Sequence, residues 1–370
     1  MRLVRSVAMT GTALLVAACA TTTGGGGGGV GGGVSAPDQT TPQPGIVWGI
    51  KTREHVDLWL HGFALLQEDT TFVPFFRRGY GTEMTVLKNR ANVVTQLDAN
   101  RDKLRARLAT NPQLINAQFV PLSFNSWNEL TQVVDLFVRA NGDPRAASSQ
   151  EQAAAIAFLA AYFQTGADRD WLRLFVQSLN DESTKFYHSY WLQQQRERSN
   201  VLDVVDTLWQ RAYRPRMQRF LNNTQQANGT ILLSLPLDGE GRSLTNGKQS
   251  NIITVTFPDR PSDAMDAIYV IAHEAVGGLA STAVTDNITP EQRRSGLGER
   301  YQSSAAVRAG AMLIQRAAPD ALDGYMRYYL RSVNRPAGSN VAATFTATFS
   351  IPDTIRDAIG RQLDVVLGGI

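Results

Sequence analysis

Apolar residues recur at helical intervals from about residue 46 to residue 228, and this restricts that part of the chain to a helical architecture. REHVDLWLHGFALL and TVLKNRANVVTQLDANRDKLRARL show the spacing, and SSQEQAAAIAFLAAYF is apolar enough to be a buried helix. Pro215 is expected to kink or divide the last long helical run because proline lacks a backbone N–H. We therefore predict a helical N-terminal lobe over residues 46–228.

The pattern changes after residue 228. Two short β-rich runs, GTILLSLPL and SNIITVTFP, flank the glycine-rich stretch DGEGRSLTNGKQ, which predicts a hairpin or two adjacent strands. An apolar helix carrying His273 and Glu274 follows at once, with Ser262 or Asp263 as its N-cap. Further helices are predicted around 299–317, 319–334 and 352–367. The expected fold class is α+β and mainly helical, with a second lobe over residues 229–370 in which a small hairpin or sheet adjoins the His-Glu helix.

Short strands followed directly by a helix with a His-Glu pair resemble the zincin metallopeptidases. Their motif, H-E-x-x-H, places two histidines on one helical face to bind zinc, and its glutamate acts on the zinc-bound water. His273 and Glu274 match its first two positions, and Gly277 stands in place of the second histidine. The resemblance covers roughly residues 229–315. It implies that His273 is a zinc ligand and that Glu274 is the general base.

The gluzincin branch of this superfamily takes its third ligand from a glutamate on a later helix, and this resemblance implies that role for Glu299. Tyr301 is then the candidate for holding the oxyanion. Since glycine has no side chain, a further ligand has to come from elsewhere, and His55 or His61 of the helical lobe are the candidates. The metzincin extension is absent because position 283 is alanine.

Three interpretations of His273 and Glu274 remain open at this point. The chain is a zinc-dependent peptidase with a rearranged metal site, a catalytically inactive zincin-like protein that binds or scaffolds other molecules, or a fold in which a buried histidine merely adjoins a carboxylate. Other catalytic motifs are missing from the sequence. It has neither the G-x-S-x-G elbow of α/β-hydrolases nor the spacing of a phosphate-binding loop. The metal site is therefore the main enzymatic hypothesis.

The N-terminus indicates export and lipid attachment. Arg2 and Arg5 precede the apolar run VAMTGTALLVAA, which is too short to span a membrane and ends at Cys19, the single cysteine. The residues VAAC resemble the lipobox of bacterial lipoproteins. This resemblance implies that residues 1–18 form a signal peptide, that cleavage occurs before Cys19, and that Cys19 is lipidated.

Residues 19–45 are rich in glycine and proline and bury too little apolar surface to fold, so we predict a flexible tether. Loss of residues 1–18 removes two of 36 basic residues and no acidic residue, which leaves a net charge of about +1 against 33 acidic residues. This balance gives no reason to expect a nucleic-acid partner. The expected partners are the membrane, through the lipid, and a peptide or protein. We expect a soluble folded part in the cell envelope, and Ala20 after the cysteine favours the outer membrane.

Overall fold

The computed structural model describes residues 47–67, 71–245 and 247–368. The predicted signal peptide, the lipidated Cys19 and the tether lie outside these residues. The described chain is mainly helical with one small mixed sheet. The predicted α+β, mainly helical class is therefore confirmed.

Nine α-helices precede the second strand in the described chain, and four of them begin at a serine or threonine whose side chain caps the helix. Thr95 and Thr165 each form a capping box, with Asp98 and Asp168 as the reciprocal partners. Single π-helical turns, Ser183–Tyr187 and Trp209–Tyr213, interrupt the long helical runs. The helices are α1 (Glu54–Leu66), α2 (Tyr80–Arg90), α3 (Gln96–Thr110), α4 (Trp127–Arg139), α5 (Gln150–Tyr162), α6 (Gly166–Glu182), α7 (His188–Glu197), α8 (Ser199–Leu208) and α9 (Arg214–Asn223).

Pro215 lies in the first turn of α9, directly after the second π-helical turn. A proline is tolerated at this position because the first N–H groups of a helix have no intrahelical partner. Residues 199–223 remain helical throughout, and a π-helical turn directly precedes the position where Pro215 was expected to kink or divide the run.

The sheet contains four strands in the order β1-β2-β4-β3. They are β1 (Gly49–Lys51), β2 (Gly229–Ser234), β3 (Arg242–Leu244) and β4 (Asn251–Thr256). Strands β1, β2 and β4 are parallel, and β3 pairs antiparallel with β4. The two β-rich runs are thus adjacent strands, as one alternative predicted, and the hairpin alternative is wrong for that pair. Parallel neighbours need a connection that carries the chain back, and residues 235–250 provide it, with β3 inside that connection.

Seven helices follow the sheet: α10 (Ala264–Ala275), α11 (Gly277–Asn287), α12 (Pro290–Arg294), α13 (Leu297–Ala317), α14 (Leu322–Ser332), α15 (Val341–Thr348) and α16 (Asp353–Leu367). The three predicted late helices correspond closely to α13, α14 and α16. Asp263 is the N-cap residue of α10, but its carboxylate pairs with Arg260 instead of capping the helix.

Two apolar cores lie on opposite faces of the sheet. Along β2, Ile231 and Leu233 belong to the core shared with β4 and α8 to α16, whereas Leu232 belongs to the core built by α1 to α6. This alternation follows from the two-residue period of a strand. The predicted boundary at residues 228/229 falls between α9 and β2. The two cores do not divide the chain at one point, because Trp48 and Ile50 belong to the core of the later helices and Leu237 belongs to the other.

Asp57 of α1 links the helices before the sheet to strand β2. Its buried carboxylate accepts hydrogen bonds from Ser234 Oγ at 2.6 Å and from Trp191 Nε1 at 2.9 Å. Burial raises the pKa of this carboxyl to about 7, against the lowering effect of those hydrogen bonds. α1 is thereby fixed to the end of β2, next to the connection that leads to the candidate site.

Within the described residues, no single helix is both long and apolar enough for a membrane crossing. The bent pair formed by residues 261–275 and 277–287 meets that test only when its two helices are counted together.

Candidate functional site

His273 lies in the last turn of α10, and its side chain is enclosed by other side chains. The residue is 5% exposed. Its ring stacks on Tyr329 with the ring centroids 5.4 Å apart, and its Nδ1 lies 3.0 Å from Glu274 Oε1. Burial lowers the pKa of the imidazole, but the hydrogen bond and charge of Glu274 and the charge of Glu240 outweigh burial and raise it. The imidazole is thus held in one orientation by a carboxylate and an aromatic face.

Glu274 is anchored to the chain segment between β2 and β3. Its Oε1 accepts a hydrogen bond from the backbone N–H of Gly241 at 3.0 Å as well as from His273. Gly241 ends a four-residue segment, Asp238 to Gly241, which we call the 238–241 connector. Glu274 therefore ties α10 to this connector through a charged hydrogen bond.

Glu240 is a third ionisable residue at this site, and the sequence analysis did not identify it. Ser303 Oγ donates to Glu240 Oε1 at 3.2 Å. Burial raises the pKa of Glu240 to about 7, with the charge of His273 lowering it and that of Glu274 raising it. The position belongs to no recognised motif, so the only available signal was a carboxylate inside a glycine-rich connection between two strands.

The other imidazole nitrogen, His273 Nε2, is buried and has no hydrogen-bond partner within the described chain. An unpartnered buried nitrogen costs free energy, so such atoms in folded proteins call for an explanation. His273, Glu240 and Glu274 thus form a buried cluster of one imidazole and two carboxylates, in which Nε2 is the atom without a partner among the described residues.

The helix that carries His273 ends before the position of the missing second histidine. α10 stops at Ala275, α11 starts at Gly277, and the two helices are bent by 43° at Val276. The metal-binding motif requires residues four apart on one face of a continuous helix. Position 277 departs from that motif in backbone geometry as well as in side chain.

Glu299 and Tyr301 both lie in the first turns of α13, as predicted for residues at the start of a helix. Glu299 is exposed, and Tyr301 is partly buried against the core that contains Ile231 and Leu233. One helical turn after Glu299, Ser303 contacts Glu240. Glu299 is therefore close along the helix to the His273 cluster, although no hydrogen bond or ion pair joins it to His273 in the described chain.

His55 and His61 lie in α1, among the buried residues of the first half of the chain. His55 Nε2 is 3.0 Å from the carbonyl oxygen of Phe124. His61 uses both nitrogens, with Nδ1 at 3.0 Å from Tyr80 OH and Nε2 at 3.1 Å from Glu182 Oε1. The structure does not bring either imidazole to His273.

The described residues contain no group of three or more His, Cys, Asp or Glu side chains arranged to hold a metal ion. A catalytic zinc ordinarily has three protein ligands and one open position. The observed arrangement around His273 supplies one imidazole, whose carboxylate neighbours are engaged with Gly241 and Ser303. As they stand, these residues do not fit a catalytic zinc ion.

Comparisons with known proteins return no match among protein-family models, curated proteins or solved structures.

Proposed function

We propose that this chain is a lipid-anchored binding or scaffolding protein of the bacterial cell envelope, with a zincin-like site that does not act as a metallopeptidase centre. The N-terminal residues support the location, because a short apolar run ends at Cys19 and a glycine-rich tether follows. The geometry at His273 supports the absence of peptidase chemistry. The tether allows the folded part to reach partners near the membrane surface.

The observation that carries this proposal is the end of α10 at Ala275. Zinc chemistry of the zincin type needs a second imidazole one turn beyond the first, and the 43° bend removes that position from the helix. The candidate base, Glu274, is instead hydrogen-bonded to Gly241 and His273. In this arrangement the motif residues serve as a structural link between α10 and the 238–241 connector.

A surface for binding lies next to that link. β3 is at the edge of the sheet, and its residues Arg242 and Leu244 are exposed. The Arg242 guanidinium lies over the ring of Phe119, 4.4 Å from its centroid, so the edge strand meets an aromatic residue of the helical half. Edge strands offer unpaired backbone groups to an extended peptide. A peptide or protein segment is accordingly the proposed partner.

A zinc-dependent peptidase with a rearranged site is the second candidate, and one observation favours it. His273 Nε2 has no partner among the described residues, and the charges of Glu240 and Glu274 act on the same imidazole. Imidazole and carboxylate groups are zinc ligands. In that case Glu240 is a candidate zinc ligand together with His273 and Glu299. The zincin resemblance gives ligand roles to His273 and Glu299 and none to Glu240.

Zinc content distinguishes the two candidates. After exposure to zinc and removal of the excess, we expect the wild-type protein to retain no more metal than the His273→Ala variant, measured by atomic emission. A Gly277→His variant should fold, because a Cβ at position 277 has nothing within 4 Å, and it too should retain no zinc because α10 ends at Ala275. Stoichiometric zinc in the wild type that is lost in His273→Ala, Glu299→Ala or Glu240→Gln would contradict the proposal.

Membrane attachment is tested separately through Cys19. The Cys19→Ser variant removes the sulfur that carries the lipid, and we expect it to move from the membrane fraction to the soluble fraction of cells. One lipidated terminus holds a protein at a membrane through apolar burial of its acyl chains. A variant with Ser35→Cys in addition to Cys19→Ser is the matched control, because its cysteine lies in the tether and does not follow the VAA sequence, and it should remain soluble. Unchanged membrane association of Cys19→Ser would contradict lipid anchoring at this residue.

A further inference from the structure

A cavity of about 260 Å³ lies where β2 and β4 end at their carboxyl termini. Its lining includes Asp238 of the 238–241 connector, Thr256 at the end of β4, Asp266 of α10 and Tyr328 of α14. Crevices outside the carboxyl ends of parallel strands are preferred ligand sites in open sheets. The cavity and the His273 cluster share the connector, since Asp238 lines one and Glu240 belongs to the other.

Backbone hydrogen bonds fix the walls of this cavity. The segment before α2 is clamped to the segment after β2, with Arg77 N donating to Pro236 O at 2.8 Å and Asp238 N donating to Phe75 O at 2.9 Å. From the other side, Tyr328 OH donates to the backbone oxygen of Asp238 at 3.2 Å. The Asp238 backbone is therefore held in place without any help from its own side chain.

The other three carboxylates that line the cavity are each paired with an arginine. Arg77 donates to both oxygens of Asp259 at 2.6 Å, and Arg198 approaches the same carboxylate at 2.7 Å. Asp266 pairs with Arg331 at 2.9 Å, and Asp263 pairs with Arg260. Arg78 donates to the backbone oxygen of Ser332 at 2.7 Å.

Asp238 differs from these residues. Its carboxylate makes no hydrogen bond or ion pair within the described chain, although the residue is only partly exposed. A carboxylate withdrawn from water without a partner is unfavourable. Arg77, Arg78 and Arg331 act on this carboxylate through their charges without contacting it, so the contact that Asp238 still lacks within the described chain is one with a cationic group of a ligand.

We propose that this cavity is a subsite for one cationic side chain, the ammonium of a lysine or the guanidinium of an arginine in a bound peptide, with Asp238 as its partner. This inference rests on the binding function proposed above. The volume is below the range of roughly 300–1,000 Å³ that whole small-molecule ligands occupy, and it suits the end of one side chain. The Tyr328 ring, which is 3% exposed and has the Arg331 guanidinium 5.4 Å from its centroid, closes one wall of the cavity.

Binding at this subsite should weaken in acid. Burial raises the pKa of Asp238 to about 6, with Arg77, Arg78 and Arg331 lowering it and Asp266 raising it. Asp259 and Asp263, which also line the cavity, are held by arginine partners. Below about pH 6 the Asp238 carboxyl becomes neutral and no longer attracts a cation, so peptide affinity should fall as the pH drops through that value.

The test uses the full-length mature protein in detergent micelles. Three probes are titrated at pH 7.5 by saturation-transfer difference NMR: acetyl-Gly-Lys-Gly-amide, acetyl-Gly-Arg-Gly-amide and the neutral acetyl-Gly-Gln-Gly-amide. We expect saturation transfer to the lysine or arginine side chain and none to the glutamine side chain. The Asp238→Asn variant should bind the cationic probe about tenfold more weakly or worse, since a charge-assisted hydrogen bond is lost. Asp203→Asn, an exposed carboxylate of α8, is the matched control and should bind normally.

Three outcomes would overturn the subsite. These are equal binding of the glutamine peptide, unchanged affinity in Asp238→Asn, or tighter binding of spermidine than of either cationic peptide, which would assign the cavity to a polyamine. The melting temperature of Asp238→Asn should match the wild type because its carboxylate makes no hydrogen bond to the described chain. Zinc retention by the wild type would contradict the proposed function without altering these results, so the two proposals fail separately.

Discussion

Replacement of Glu182 by glutamine is expected to lower the free energy of unfolding by about 1–3 kcal/mol, because it removes one of the two carboxylates that pair with the buried Lys88 ammonium and leaves only Asp98, at 2.7 Å. Glu182 is fully buried, and its two oxygens accept from Lys88 Nζ at 3.0 and 2.8 Å. Thr95 and His61 also contact this carboxylate. The measurement is urea unfolding of residues 46–370, followed by circular dichroism.

The control for this prediction removes the cation as well. Lys88 is 3% exposed, so the Glu182→Gln, Lys88→Met double variant has no unpaired buried charge and should recover most of the lost stability. Replacing a buried ion pair by apolar groups of similar volume is often nearly neutral. Glu197→Gln, at an exposed position of α7, should change stability by less than about 0.5 kcal/mol. A double variant no more stable than Glu182→Gln would contradict the ion-pair explanation.

The same residue gives the protein a specific acid sensitivity. Burial opposes ionisation of Glu182, but the hydrogen bond and charge of His61 and the charge of Lys88 outweigh it and lower its pKa to about 2. Since the folded-state pKa lies below the ordinary value of 4.5, the stabilisation is complete above pH 4.5 and is lost as the pH falls towards 2. This single group should account for about 3 kcal/mol of acid destabilisation, which is absent in Glu182→Gln.

Replacement of Gly241 by alanine is expected to cost about 3 kcal/mol or more. An added Cβ would overlap the backbone oxygen of Thr254, and a backbone atom cannot move aside as a flexible side chain can. Any shift that relieves this overlap also weakens the Gly241 N–H hydrogen bond to Glu274. The loss should appear in urea unfolding and as altered NMR signals of His273.

Gly278→Ala is the matched control for Gly241→Ala. This glycine lies in the first turn of α11, and a Cβ there meets nothing within 4 Å. The substitution should be neutral or stabilise the protein by up to about 1 kcal/mol, because alanine favours helix more than glycine does. Equal stability of Gly241→Ala and the wild type would mean that the 238–241 connector does not pack against β4 as described.

Much of the fold follows from patterns that extend over adjacent residues. The apolar periodicity of α1, α3 and α5 was sufficient to predict the helical half, because a helix is stabilised by residues three and four apart. The strand runs were also recognised. Their parallel pairing was not, since β2 and β4 are separated by a connection whose path depends on which core each strand face contacts.

The candidate site was less predictable than the fold. His273 and Glu274 were found by their motif, and they do lie together. Glu240 was missed because it reaches the site through the 238–241 connector and belongs to no local pattern. His55 and His61 were candidates by residue type alone, and their actual partners, Phe124, Tyr80 and Glu182, come from distant parts of the chain.

The amino-acid sequence by itself determined the short apolar run that ends at Cys19, the glycine-rich composition of residues 19–45, the helical periodicity and the presence of a His-Glu pair in an apolar run, since each depends on neighbouring residues. Only the tertiary structure decided that α10 ends at Ala275, that the charge of Glu240 acts on His273, and that the Asp238 carboxylate has no hydrogen-bond partner among the described residues. The end of a helix and the ionisation of a carboxyl depend on burial and on charges brought together by packing. Those contacts join residues far apart in sequence, and no local pattern encodes them.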